Sequence, residues 1–320
     1  MTARARSPKL SRMVSETAVR RARRADLLTP AELAELGGLE LVARRVVEGF
    51  IAGMHSSPFR GFSVEFAEHR MYQPGDDLRH VDWRMYGRSD RYYVKQFEEE
   101  TNLRASVLLD ASASMGWSSE PAKLPSKLWY ASRLAACIAL LLVRQGDAVG
   151  LTVFDDAVRA RIRPRGGRRH WSEIVRALSL ARAHGRTETG APLREVAARL
   201  RRRGLVVLVS DLLIDPDETL LALRFLRHRG HEVIVFHLLD PGEKRLPAVA
   251  DARFVEPETG EEMAVRVSDI RLEYEAAVKS AIAEWQRQLQ PHGIDYVLIE
   301  TDQPLTVALR AYLNKRARLG

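Results

Sequence analysis

Ser106-Val107-Leu108-Leu109-Asp110-Ala111-Ser112-Ala113-Ser114-Met115 decides the fold. An apolar run of strand length stops on an acid, and two hydroxyl residues follow at alternate positions. Leu205-Val206-Val207-Leu208-Val209-Ser210-Asp211 repeats the pattern, again ending on an aspartate. Runs that are apolar throughout, rather than at every second position, belong to strands buried on both faces, which is the condition of a parallel sheet covered by helices. Further apolar runs stand at Ala148–Phe154, Glu232–Leu239 and Tyr296–Ile299, and another strand is expected at Val158–Ile162. Helix-length segments alternate with them, expected at about Ser126–Arg144, Trp171–Ala183, Leu193–Arg203, Pro216–Arg229, Asp269–Leu289 and from Pro304 onward. Asp215-Pro216-Asp217-Glu218 supplies a cap, a first-turn proline and acids for the helix dipole, and Gly230 supplies the stop. The alternation predicts an α/β fold with a doubly wound, mostly parallel sheet over residues 103–320.

Upstream the texture differs. Thr29-Pro30-Ala31-Glu32 reads as a capped helix start, and a helix is expected from there to about Phe50. From Gly53 to Asn102 the chain is dense in Gly, Pro, Arg, Asp and aromatics, which predicts short strands and turns ending in an edge-like strand at Tyr92–Phe97. Residues 29–102 are therefore read as a smaller segment of helix, strands and turns before the sheet domain. Residues 1–28 read as a basic, unstructured arm. Met1 to Arg24 holds Arg4, Arg6, Lys9, Arg12, Arg20, Arg21, Arg23 and Arg24 against Glu16, a net +7 within a chain whose formal charge is +8.

Composition excludes several classes. With 46% hydrophobic and 29% charged residues in 320, the chain has the material for a large core and is not disordered throughout. Cys137 is its single cysteine, so neither an intrachain disulfide nor a multi-cysteine zinc site can form, and a cytoplasmic home is expected. The longest apolar stretch, Leu134–Val143, lies between Arg133 and Arg144 and is too short for a membrane span. No secretory signal is expected at the start of the chain.

In an open parallel sheet, ligands bind beyond the carboxyl ends of the strands where strand order reverses. If the order is the common 3-2-1-4-5-6, the strands ending in Asp110 and Asp211 are neighbours at that point. Ser112 and Ser114 then converge beside two carboxylates, an all-oxygen set suited to a hard divalent cation.

The run Asp110-Ala111-Ser112-Ala113-Ser114, the later Gly185-Arg186-Thr187-Glu188-Thr189 and the strand-terminal Asp211 resemble the metal-ion-dependent adhesion site of von Willebrand factor A domains. The resemblance implies Asp110, Ser112, Ser114, Thr187 and Asp211 as ligands of Mg2+ (or Mn2+), with Thr189 competing for the threonine role. Tyr72-Gln73-Pro74-Gly75-Asp76-Asp77-Leu78-Arg79-His80-Val81-Asp82-Trp83-Arg84 resembles the signature of the bacterial domain-of-unknown-function fifty-eight family, in which such a segment precedes a von Willebrand A-like domain. That family is associated with MoxR-type AAA+ ATPases. The resemblance thus implies a non-enzymatic, metal-dependent protein-binding module, an adaptor or co-chaperone between such an ATPase and a client presenting an acidic residue. Asp76, Asp77, Arg79, Asp82 and Arg84 form either a partner-binding motif or an internally paired turn.

Two rival functions follow from the same residues. A strand-terminal aspartate with magnesium also suits phosphoryl transfer with Asp110 as nucleophile, although Ser112 stands where such enzymes place a second acid and no supporting lysine is evident. Nucleic-acid binding through the arm has charge in its favour but no recognised module. Arg163, Arg165, Arg168 and Arg169 around Gly166-Gly167 either grip phosphate or form a solvated, charged strand edge.

Overall fold

The structure is a computed structural model that describes residues 28–34, 37–55, 69–71, 86–88, 91–95, 103–185, 190–246, 251–255 and 262–316. Two compact units make up the chain, one formed by residues up to Gly53 with Leu103–Gly320, the other by Met54–Asn102. Residues 1–27 of the basic arm expected over 1–28, and the Asp76–Arg84 segment, lie outside the described residues.

Helix α1 (Pro30–Ala34) starts as expected, with Glu32 N–H donating to Thr29 Oγ1 at 3.3 Å and Thr29 N–H to Glu32 Oε2 at 2.9 Å. The single helix expected to reach Phe50 is instead broken. Gly37 has a φ of +99°, which a side chain rarely tolerates, and α2 (Leu39–His55) begins just beyond Gly38. Val42, Ala43, Val46, Val47 and Phe50 are its buried stripe. Arg44 lies over the Trp171 ring at 4.8 Å, and Glu48 pairs with Arg144 at 3.2 Å. The helix therefore belongs with the sheet unit, and residues 29–102 do not form one segment: the apolar stripe of α2 is covered by the α/β body. In the other unit, β1 (His69–Met71) and β2 (Tyr93–Lys95) pair antiparallel, and Tyr86 stacks on Tyr92 at 4.5 Å.

The main sheet begins with β3 (Arg104–Asp110), followed by α3 (Lys127–Arg144), β4 (Ala148–Phe154), β5 (Val158–Arg165), α4 (Arg168–Leu180) and α5 (Ala191–Arg199). Next come β6 (Leu205–Ser210), α6 (Pro216–His228), β7 (Glu232–Leu239) and a short α7 (Pro241–Lys244). A two-stranded antiparallel pair, β8 (Asp251–Val255) and β9 (Glu262–Arg266), leads into α8 (Val267–Leu289), β10 (Asp295–Glu300) and α9 (Leu305–Arg316).

The six-stranded sheet has the order β10-β7-β6-β3-β4-β5. Counted along the sheet's own strands this is the 3-2-1-4-5-6 order, with the reversal between β3 and β6. All neighbours are parallel except β5, which turns back on β4 as an antiparallel edge. Residues of α5, α6 and α8, among them Leu193, Val196, Leu223, Leu226 and Trp285, close over Leu108, Val206, Leu208, Val233 and Val235. Val107, Leu109, Val207 and Val209 alternate with these along the strands and are equally buried. The all-round apolar α3 packs against β3, β4, β6 and β7, with α4 and α9 against it.

Candidate functional site: two aspartates at adjacent strand tips

Register builds this site. Leu109 of β3 pairs with Val209 of β6, which brings Asp110 level with Ser210 and leaves Asp211 one residue beyond. Asp110 is 1% exposed and held from both sides. Its Oδ1 accepts the Ser112 N–H at 2.9 Å and its Oδ2 accepts the Ser210 hydroxyl at 2.6 Å. Ser112 and Ser114 stand at the entry to a 3-10 turn, Ala113–Gly116, with their hydroxyl oxygens 3.1 Å apart. Ser210 also accepts the Leu212 N–H at 2.9 Å. Leu212 has a φ of 55°, a strained left-handed conformation for leucine, and that turn carries the chain past Asp211.

Burial and the neighbouring Asp211 carboxylate together push the Asp110 carboxyl up to about 6, against the hydrogen bonds from Ser210 and Ser112. Two buried acids at adjacent strand tips form a site that a cation would relieve.

One cation is supplied by the chain. Lys127, at the first position of α3, is wholly buried and places its ammonium 2.8 Å from Asp211 Oδ2 while also pairing with Glu243. Burial works against the ammonium, but Asp211 and Glu243 outweigh it and hold the lysine above its ordinary value. At Glu243 burial prevails over Lys127, and its carboxyl is raised. A positive charge in the first turn of a helix opposes the helix dipole, so these carboxylates are what keep it there. Glu243 is fixed in turn by a capping box: Asp240 N–H donates to Glu243 Oε2 at 2.8 Å, and Asp240 Oδ1 accepts the Gly242 N–H at 2.8 Å. The Ser119 N–H and hydroxyl also donate to Asp240, tying α7 to the loop after β3.

The structure thus brings Asp110, Ser112, Ser114 and Asp211 to one end of two adjacent strands. Thr187 and Thr189 lie outside the described residues; His184 N–H donates to Ala111 O at 3.0 Å, between Asp110 and Ser112. The donors fit a hard divalent ion, since all are oxygens and two are acids. Among the described residues no group of three or more His, Cys, Asp or Glu could hold a metal by itself, so the hydroxyls are needed to make up the set. Sequence reasoning missed Lys127, Ser210, Asp240 and Glu243. Asp240-Pro241-Gly242-Glu243 was a readable capping signal. Lys127, far from its partners along the chain, had none.

The strand order, the Asp-x-Ser-x-Ser loop at the reversal and the second aspartate define a von Willebrand factor A-like α/β protein. The pattern of the family described as proteins of unknown function, DUF58, matches residues 68–284, and the chain belongs to that family. An uncharacterised protein of Mycobacterium tuberculosis is 28% identical over 299 residues, covering 92% of this chain and 93% of the relative. A Mycobacterium bovis protein, also uncharacterised, matches to the same extent. Among solved structures, an aerotolerance-related membrane protein of Bacteroides fragilis superposes with a TM-score of 0.44 at 18% identity, over 67% of this chain and 99% of the other. The von Willebrand A domain of SpRpn10 gives 0.38 at 13%, over 65% and 94%. Among the described residues no helix is long and apolar enough to cross a membrane.

Proposed function

We propose that this protein is a metal-dependent protein-binding module in which Asp110, Ser112, Ser114 and Asp211, joined by Thr187, hold Mg2+ or Mn2+. The observation that carries this reading is the register of β3 and β6, which sets two buried carboxylates beside a pair of serine hydroxyls. When bound, such an ion offers a position at which an acidic side chain of a partner can replace water. The chain's own residues prepare that contact. Ser210 and the Ser112 N–H fix Asp110, and Lys127 offsets the charge of Asp211, so that little net negative charge repels an incoming carboxylate. Resemblance to the family adds the partner: a MoxR-type AAA+ ATPase, with this chain as adaptor or co-chaperone for a client, in the cytoplasm. The buried free thiol of Cys137 suits a reducing compartment.

Calorimetric titration with MgCl2 and MnCl2 tests the site. Wild-type protein is expected to bind and Asp110→Ala to lose most of the affinity while keeping its fold; equal binding by both would place the metal elsewhere. Recovery of partners with and without chelator then tests the adaptor role.

Phosphoryl transfer from Asp110 gains one observation, the buried Lys127. That ammonium is engaged by Asp211 and Glu243, however, and both Asp110 oxygens already accept hydrogen bonds. Magnesium-dependent hydrolysis of a phosphoester by wild type, absent in Asp110→Ala, would favour the enzyme.

A further inference from the structure

The opposite end of the sheet carries a different chemistry. At roughly 3.3 Å per residue, the seven residues of β3 put its start about 20 Å from Asp110. There a cavity of about 650 Å3 opens on the face that bears α5. Arg104, Arg161, Arg163, Arg199, Arg201 and Arg202 line it, and Glu195 is its one acid.

The shape has a clear origin. Ser106 of β3 stands in register with Gly150 of β4, so this strip of sheet carries little side-chain bulk. The antiparallel β5 forms one wall, where Arg161 and Arg163 alternate with the half-buried Ile162 and Pro164. The end of α5 and the segment leading into β6 form the other, through Arg199, Arg201 and Arg202. Leu200 and Leu205 contribute the apolar part of the lining.

Ordinary structural roles account for two of these arginines. Arg199 pairs with Glu195 at 2.8 Å in the last turn of α5, where a cation also suits the helix dipole, and Arg104 reaches Pro164 O at 3.5 Å. Arg161, Arg163, Arg201 and Arg202 are exposed, and no carboxylate among the described residues pairs with them. A charged edge strand needs only its own charges to deter pairing. It does not need facing arginines on a helix end across a concave floor. These four exposed guanidinium groups line one cavity from two walls, where an anion would lower their mutual repulsion, and their planar forks match phosphate oxygens.

We propose that this cavity binds a compact oligophosphate, a ligand carrying two or more linked phosphate groups. The volume is that of a small-molecule site rather than an extended groove, and the lining includes no Phe, Tyr or Trp on which a nucleobase could stack; its one ring, His231, is buried and hydrogen-bonded to Leu200 O. The phosphates themselves, free or as the tail of a nucleotide, are what the walls recognise. The site is separate from the aspartate pair and does not depend on the metal reading.

The test is calorimetric titration of the full chain with sodium tripolyphosphate in EDTA, so that the aspartate site is without metal. Arg161→Gln/Arg163→Gln and Arg201→Gln/Arg202→Gln each alter one wall, and all four side chains are exposed, so both variants should fold. Each is expected to weaken binding at least about tenfold, while Arg176→Gln, an exposed arginine of α4 away from the cavity, leaves it unchanged. Affinity should also fall with rising salt. Parallel titrations with ATP, oligothymidylate and hexaglutamate separate the sources. ATP binding that is lost in the same variants assigns the phosphates to a nucleotide and supports the proposal. Unchanged tripolyphosphate affinity in both double variants would overturn it. So would a wild type that ignores tripolyphosphate but holds oligothymidylate or hexaglutamate through these arginines, giving the face to nucleic acid or to an acidic protein segment.

Discussion

Replacing Lys127 by methionine keeps the length and apolar stem of the side chain and removes only the ammonium. That ammonium is fully buried, lies 2.8 Å from Asp211 and also engages Glu243. Without it, Asp211 is left as a buried charge beside two other acids, Asp110 and Glu243, both of which it already raises. Removing one partner of a buried ion pair costs about 3–5 kcal/mol, because the remaining charge keeps its desolvation penalty and loses its compensation. For a domain of this size each kcal/mol moves the melting temperature by roughly 2–4 °C, so a fall of about 10 °C is expected. Thermal unfolding in EDTA at neutral pH reads it. The cycle is completed with Asp211→Asn and the double variant, whose loss should be clearly less than the sum of the two single losses, since both remove one shared interaction. A melting temperature for Lys127→Met within about 2 °C of wild type would refute the reasoning, because no buried pair of this kind can be so cheap to break.

Further expectations follow from the same geometry. The Asp110 carboxyl, ordinarily at 3.8, is held at about 6, so the stability tied to its protonated form is fully present below about pH 4 and is lost as pH rises through 6. Asp110→Asn should therefore melt near wild type at pH 4 and above it at pH 7.5 in EDTA, by up to about 3 kcal/mol; the same difference at both pH values would count against the buried acid pair. Magnesium should raise the wild-type melting temperature more at pH 7.5 than at pH 5, since a protonated carboxyl is a poor ligand, and equal shifts would argue for a site elsewhere. Asp240→Ala removes the acceptor of the Gly242 N–H and of Ser119, and should cost about 1–2 kcal/mol in melting experiments; no loss would mean that α7 is held by other contacts. At Gly204 an added Cβ would lie 2.0 Å from Arg104 O, a backbone atom that cannot step aside, so Gly204→Ala should destabilise by about 3 kcal/mol, and wild-type melting would show that β3 and β6 can part there.

What the sequence determined by itself was the alternation of apolar runs and helices, because a strand covered on both faces must be apolar throughout and that pattern is written locally. It also determined which residues stand at the strand tips: Asp110 and Asp211 follow their runs directly, and Ser112 and Ser114 follow Asp110. The boundaries of α6, its Asp215 cap and the first capping box at Thr29 were readable for the same reason, their partners lying three residues away. Tertiary structure decided the rest. Leu109 meets Val209 only because the sheet reverses between β3 and β6, and that register alone makes neighbours of two acids and gives Asp110 the Ser210 hydroxyl. Lys127, as the charged first residue of a mostly apolar helix, has a local pattern that suggests solvent. Burial among Asp211 and Glu243 is a consequence of where α3 crosses the sheet. The same holds for the arginine cavity: Arg161 and Arg163 read as a charged edge, and Arg201 and Arg202 as a polar loop. Only the antiparallel return of β5, facing the end of α5 across the sheet, turns two separate charged stretches into the two walls of one site. Local interactions are encoded in neighbouring residues, whereas charge pairs across the sheet depend on distances that the chain sets only once its core has packed.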